Sequence, residues 1–156
     1  MHRDATLDVT GAYRYLLIRS WDSELPCLCW ILLNPSTADP TRDDPTIRRC
    51  ISFSAAWGYG TLRVVNLFGF RSCRPAALRT AADPVGPENE LFVRSAIDAS
   101  DASIVGWGVH GAFRTRDQAV NSILKPGTLC LGRTLEGHPR HPLYRPRGAQ
   151  PVPWRV

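Results

Sequence analysis

The chain has 156 residues, 44% of them hydrophobic and 21% charged, the length and composition of one ordinary globular domain. A chain of this size buries roughly 70% of its unfolded surface, so collagen-like, disordered and disulfide-stapled classes are excluded. The net charge of +5 is almost all arginine, Lys125 being the single lysine, and it gathers at one end: residues 133–156 hold five arginines against Glu136 alone.

That basic end is either a solvated tail or an electrostatic footprint for nucleic acid. No apolar run approaches the ~20 residues of a membrane span. No apolar stretch follows the basic residue near the N-terminus, so a cytoplasmic protein is expected. The cysteines, Cys27, Cys29, Cys50, Cys73 and Cys130, are odd in number and lack paired metal-ligand spacing. They read as reduced thiols with no metal site.

In chain order, Tyr13 to Trp21 alternates and is rich in aromatic and branched residues, which predicts a strand. Asp22 to Pro26 is a turn. Cys27 to Leu33 is a continuous apolar run, the pattern of a strand covered on both faces, and it is expected to pair antiparallel with the first. Asn34 to Asp44 is a long polar loop. Asp44 then caps a helix opened by Pro45, running to Trp57 and stopped by Gly58.

Leu62 to Asn66 predicts a short strand. Residues 67–82 are irregular, with one helical turn after Pro75. Asp83 to Pro87 is a turn leading into a helix over Glu88–Ala99. Ser103 to Trp107 predicts a strand, Phe113 to Leu124 a helix, and Thr128 to Leu131 a last strand. A Pro- and Arg-rich loop follows from Gly132.

Strands alternating with helices imply an α/β protein: three layers, α/β/α, around a mostly parallel four-stranded sheet with an extra N-terminal antiparallel strand. The whole chain is expected to be one domain, with its core at about 13–145. In such sheets ligands bind beyond the carboxyl ends of the strands. The segments there are Asn34 to Asp39, Asn66 to Phe68, Gly108 to Gly111, and Gly132 to Tyr144.

These four segments resemble the motifs of the uracil-DNA glycosylase superfamily. Leu33-Asn34-Pro35-Ser36 is similar to the first motif, in the form of the mismatch-specific branch, which carries Asn. Asn66 matches the strand-end Asn that reads the flipped base, and Trp107-Gly108 matches a Trp-Gly pair opening a helix. His138-Pro139-Arg140-His141-Pro142-Leu143 looks like the loop that penetrates DNA, with one extra residue. The likeness spans about residues 27–145. The chain also resembles a bacterial family of uncharacterised proteins carrying the run Leu33 to Asp39.

The resemblance implies a uracil-DNA glycosylase-like fold and a monofunctional DNA glycosylase, needing no metal or cofactor and acting as a monomer on single- or double-stranded DNA. Cleaving an N-glycosidic bond requires stabilising the departing base and meeting the sugar with water. His138, or His141 given the extra residue, is the candidate donor to the base. Asn34 can orient water but is no general base; Asp39, Asp43 or Asp44 can supply one from the same loop. Asn66 offers a donor and an acceptor to the Watson–Crick edge of an extruded base.

Pro35 and Ser36 would border the base. The first loop lacks a stacking aromatic, for which Phe68, Phe70 and Tyr59 are the substitutes. Gly108 and His110 sit where a helix start can cradle a phosphate. Leu143 or Tyr144 can wedge into the base stack, and Arg140, His141, Arg145 and Arg147 can contact DNA. Two other readings remain: a non-catalytic nucleic-acid-binding or base-sensing module on the same fold, and a hydrolase or transferase of free nucleosides.

Overall fold

In the computed structural model, which describes residues 1–155, the strands are β1 (His2–Leu7), β2 (Arg14–Ser20), β3 (Cys27–Leu32), β4 (Thr61–Asn66), β5 (Ala102–Val105), β6 (Leu129–Cys130) and β7 (Val152–Pro153). The α-helices are α1 (Pro45–Ala56), α2 (Asn89–Ala99) and α3 (Arg116–Asn121). The architecture is mixed α/β. Its sheet is wider than the four strands plus one read from the sequence: seven strands in the order β1-β2-β4-β3-β5-β6-β7. None of the helices in the described residues is long and apolar enough to cross a membrane.

β3 sets the arrangement. All six of its residues are apolar and buried, so it must lie inside the sheet with both faces covered. Parallel β4 and β5 take its two edges, and β6 pairs parallel with β5. The expected hairpin between β2 and β3 is therefore not formed. With no edge of β3 free, β2 pairs antiparallel with the outer edge of β4, Leu17 opposite Val64.

The two remaining strands lie at the sheet's margins. β1 is polar and mostly exposed, and it pairs antiparallel with β2. β7 contains Pro153 and pairs with β6, an edge position that tolerates the missing donor.

Alternate side chains of β3 face opposite layers. Leu28, Trp30 and Leu32 pack with Ile47, Cys50 and Phe53 of α1. Cys29 and Ile31 pack with Val93, Ala96 and Ile97 of α2 and Val120 of α3. The expected cap holds: Asp44 Oδ1 accepts the Ile47 N–H at 2.9 Å, Pro45 opens the helix, and Gly58 at φ +90° follows its end.

The helix expected over Phe113–Leu124 is shorter. Residues Gly108–Thr115 form 3-10 turns, and both Arg114 (φ 54°) and Thr115 (φ 53°) take left-handed backbone conformations, so α3 begins only at Arg116. Burial of Arg116 fixes that start: its Nε donates to the Leu67 carbonyl at 2.7 Å and its Nη1 reaches Glu90 at 2.8 Å. The tail is also more ordered than its composition suggests. Trp154 packs edge-on against Trp107, and its Nε1 donates to Asn121 Oδ1 at 3.0 Å.

Candidate functional site

The chain leaves β3 to one side, forming β4, and returns across β3 to form β5. That reversal makes the carboxyl ends of β3 and β5 the switch point of the sheet, where a crevice opens between diverging loops. A cleft of about 510 Å³ lies there. It is lined by residues from the ends of β3, β4 and β5, the start of α1, and the segment after β6.

The floor of the cleft is Asn66, at the last position of β4 and only 1% exposed. Neither its Nδ2 nor its Oδ1 has a hydrogen-bond partner among the described residues. A buried amide with both ends unpaired costs on the order of 1–3 kcal/mol per group. Its backbone is clamped: Asn89 Nδ2 donates to the Asn66 carbonyl at 2.9 Å and to that of Leu67 at 3.2 Å, and Arg116 takes Leu67 as well. The strand end is thus held by two side chains while the Asn66 amide is left for something else.

Asn34 lines the same cleft. Its Nδ2 donates to the carbonyls of Pro35, at 3.1 Å, and Ser72, at 2.8 Å. That fixes the amide orientation and leaves Oδ1 as a free acceptor. Ser36 is also in the lining, whereas Pro35 is buried beneath it.

The carboxylates of the first loop are already in use. Asp44 lines the cleft, but its Oδ1 accepts Ile47 N–H and its Oδ2 accepts Ala38 N–H at 3.2 Å. Asp39 lies outside the cleft lining. Its Oδ1 accepts from the Thr41 and Arg42 backbones, and those bonds hold its carboxyl below the usual range. Asp43 is paired with Arg19. Of the three carboxylates expected as a base, Asp44 is therefore the one in the described cleft lining, and each of its oxygens already accepts a backbone N–H.

The two histidines of the last loop separate. His141 lines the cleft; His138 does not, and its Nε2 lies 3.7 Å from Glu136. A turn between them explains this. Thr134 N–H donates to the His138 carbonyl at 2.8 Å and Arg140 N–H to Gly132 at 2.9 Å, so residues 132–140 close as a small hairpin. The hairpin carries His138 away on its arm. Gly106, at the end of β5, receives the loop: a Cβ there would sit 3.2 Å from Pro142 Cδ.

His141 Nδ1 accepts the Leu143 N–H at 3.2 Å. That bond requires an unprotonated Nδ1, so a neutral ring carries its hydrogen on Nε2. Burial pushes the imidazole below its ordinary pKa, against a smaller opposing pull from Asp44. His141 is therefore a neutral donor at physiological pH.

At the rim, Gly108, His110, Arg140, Leu143, Tyr144 and Arg145 all join the lining, and Tyr144 is 81% exposed. Arg147 is exposed outside it. Phe68 is wholly buried against Phe113 and stacks on nothing in the cleft. Phe70 and Tyr59 are also absent from the lining.

Sequence reasoning missed Arg14. It is 2% exposed, lines the cleft, and donates from Nη1 to the Ala38 carbonyl at 3.0 Å. A bulge in β2 places it there. The β1 register steps from Thr6 opposite Leu16 to Leu7 opposite Arg14, leaving Tyr15 unmatched. Tyr15 and Leu16 consequently both pack on the α2 side, while Arg14 and Leu17 both turn to the α1 side. One extra residue re-aims the side chains beyond it, and no composition or spacing announces such a bulge.

The described residues contain no group of His, Cys, Asp and Glu placed to hold a metal. Residues 14–143 match the family described as Protein of unknown function (DUF1643). No curated protein matches the chain, and no solved structure does.

Proposed function

We propose that this chain, which belongs to the DUF1643 family, is a monofunctional DNA glycosylase on a uracil-DNA glycosylase-like fold. The observation that carries the reading is Asn66: a buried amide at the floor of a cleft, with both of its hydrogen-bonding atoms unpaired. An extruded nucleobase presents a donor and an acceptor side by side and satisfies both at once. Nucleic-acid chemistry is further supported by the rim, where Arg140 and Arg145 stand beside exposed Tyr144. Arginines there can hold phosphates while the aromatic ring meets the base stack.

In this reading His141, rather than His138, donates Nε2–H to an oxygen of the departing base. A neutral donor in a water-poor site stabilises developing charge without a proton transfer. Asn34 Oδ1 orients the attacking water. No free carboxylate assists, so the C1′–N bond must be largely broken before water adds. The free carboxylate's absence from the described cleft lining also favours a second reading, a base-sensing module that flips and holds a base without cutting it.

The test is incubation with single- and double-stranded DNA carrying uracil, hypoxanthine or bulky modified cytosines, with free base detected by mass spectrometry. Release of one base, lost in His141→Ala and kept in His138→Ala, is the expected result. Binding that weakens with salt, without release of any base, would replace the enzyme by the sensor.

A further inference from the structure

The groups bordering the cleft include one whose chemistry the motif residues do not explain. Arg14 brings a full positive charge to the base of the cleft from β2. Its guanidinium is anchored at one corner only, Nη1 to Ala38. Among the described residues Nε is buried without a partner, and Nη2 makes no protein hydrogen bond. Arg19 and Arg71 lie near enough to repel it, and Asp44 is the carboxylate that offsets them. Burial lowers its pKa to about 10, so the guanidinium stays charged at neutral pH.

We propose that Arg14 is a catalytic residue that contacts the departing base and takes up its negative charge. The assignment rests on the glycosylase reading above. In hydrolysis the C1′–N bond breaks heterolytically and its electron pair leaves on the base. The oxygen of water bonds C1′, and the proton released from that water ends on the base nitrogen. Between these events the base is an anion whose charge spreads to its exocyclic carbonyl oxygens. A neutral donor such as His141 meets one of those oxygens; a guanidinium adds a compensating charge, and of the described arginines lining the cleft Arg14 is the one that is fully buried. Arg140 is exposed and Arg145 half-buried.

The bulge supports the assignment independently. Without it, Arg14 would share the face of Leu16, toward α2. The irregularity turns a cation into the cleft and leaves it incompletely bonded, an arrangement that stability alone does not favour.

The experiment compares uracil with 5-fluorouracil in otherwise identical single-stranded DNA, using the full chain and its Arg14→Met and Arg14→Lys variants. 5-Fluorouracil leaves more readily as an anion and needs less help. In Arg14→Met, kcat on uracil DNA is expected to fall roughly 10²–10³-fold, and on 5-fluorouracil DNA about ten-fold less steeply. Arg14→Lys, which keeps the charge, should return the ratio between the two substrates toward that of the unaltered chain even if its absolute rate is lower. Equal losses on both substrates in both variants would make Arg14 a packing residue and overturn the assignment, leaving the glycosylase reading intact. Release of neither base by the unaltered chain would overturn the Arg14 assignment, and the glycosylase reading falls with it if hypoxanthine and the modified cytosines are also retained.

Discussion

Arg19 Nε donates to Asp43 Oδ1 at 2.7 Å, and the arginine side chain has no exposed surface. The same guanidinium donates from Nη2 to the carbonyls of Asp39, at 2.7 Å, and Arg42, at 2.8 Å. One side chain on β2 therefore closes the loop that precedes α1. Arg19→Met leaves the Asp39 carbonyl without its partner and Asp43 with Arg3 alone, at 3.9 Å, and is expected to destabilise the fold by about 1–3 kcal/mol. Urea denaturation measures it. A loss under about 1 kcal/mol would mean that the loop closes without Arg19.

Asn66 carries the opposite expectation. Its amide has no internal partner, so Asn66→Leu removes a desolvation cost and adds apolar contact. The variant is expected to be as stable as the parent, or more stable by about 1–3 kcal/mol, and unable to release or bind a base. Melting curves and the base-release assay together check this. A large loss of stability would show that the amide is structural.

Replacing Asp44 separates its cap from its charge. Asp44→Ala removes acceptors for both Ile47 and Ala38 and should cost ~1–2 kcal/mol, the usual range for a lost N-cap with a second backbone donor left bare. Asp44→Asn keeps an acceptor for Ile47 and should cost less. Guanidinium unfolding of the two variants side by side reads the difference.

His141 makes stability depend on pH with a defined sign. Its folded pKa lies below the ordinary value of about 6.5, chiefly through burial. Between the lowered value and about 6.5, the unfolded chain binds a proton that the folded chain does not. Its contribution is therefore fully present above 6.5 and is lost as pH falls through that window. In His141→Gln the denaturation midpoint should vary less between pH 7.5 and pH 5. An unchanged slope would place the imidazole in solvent.

Gly106→Ala tests how the last loop is seated. The added Cβ would lie 3.2 Å from Pro142 and 3.3 Å from Leu32, so one of them must give way. A loss of about 1–3 kcal/mol is expected, and base release should fall with it, because Pro142 is the neighbour of His141. Retained stability together with retained activity would mean that the loop has slack.

Periodicity made the buried layers readable. Cys27 to Leu32 is apolar throughout because both of its faces are covered, and Asp44-Pro45 with Gly58 marks both ends of α1. Most of the cleft was legible for the same reason: strand ends locate a crevice, and Asn34, Asn66, Gly108 and His141 follow strand ends. What escaped depends on pairing rather than on local pattern. Nothing within Arg14 to Ser20 says that its partner is β4 rather than β3, or that Tyr15 is an extra residue. His138 and His141 have near-identical settings in sequence, and only the hydrogen bonds of the hairpin over 132–140 tell them apart. The polar strand β1 carries no apolar alternation, because one edge and much of its surface face water.

Two of the buried arginines around the cleft, Arg14 and Arg19, come from β2, outside the parallel strands whose ends frame it. The N-terminal hairpin is thus part of the frame of the cleft rather than an ornament on the sheet's margin. The parallel strands carry Asn34, Asn66 and His141 at or beyond their ends, and the hairpin carries the buried cations behind them. Grafting β1 and β2 of one family member onto the parallel strands of another would exchange the buried cations and the loop anchors together, without changing the identity of Asn34, Asn66 or His141.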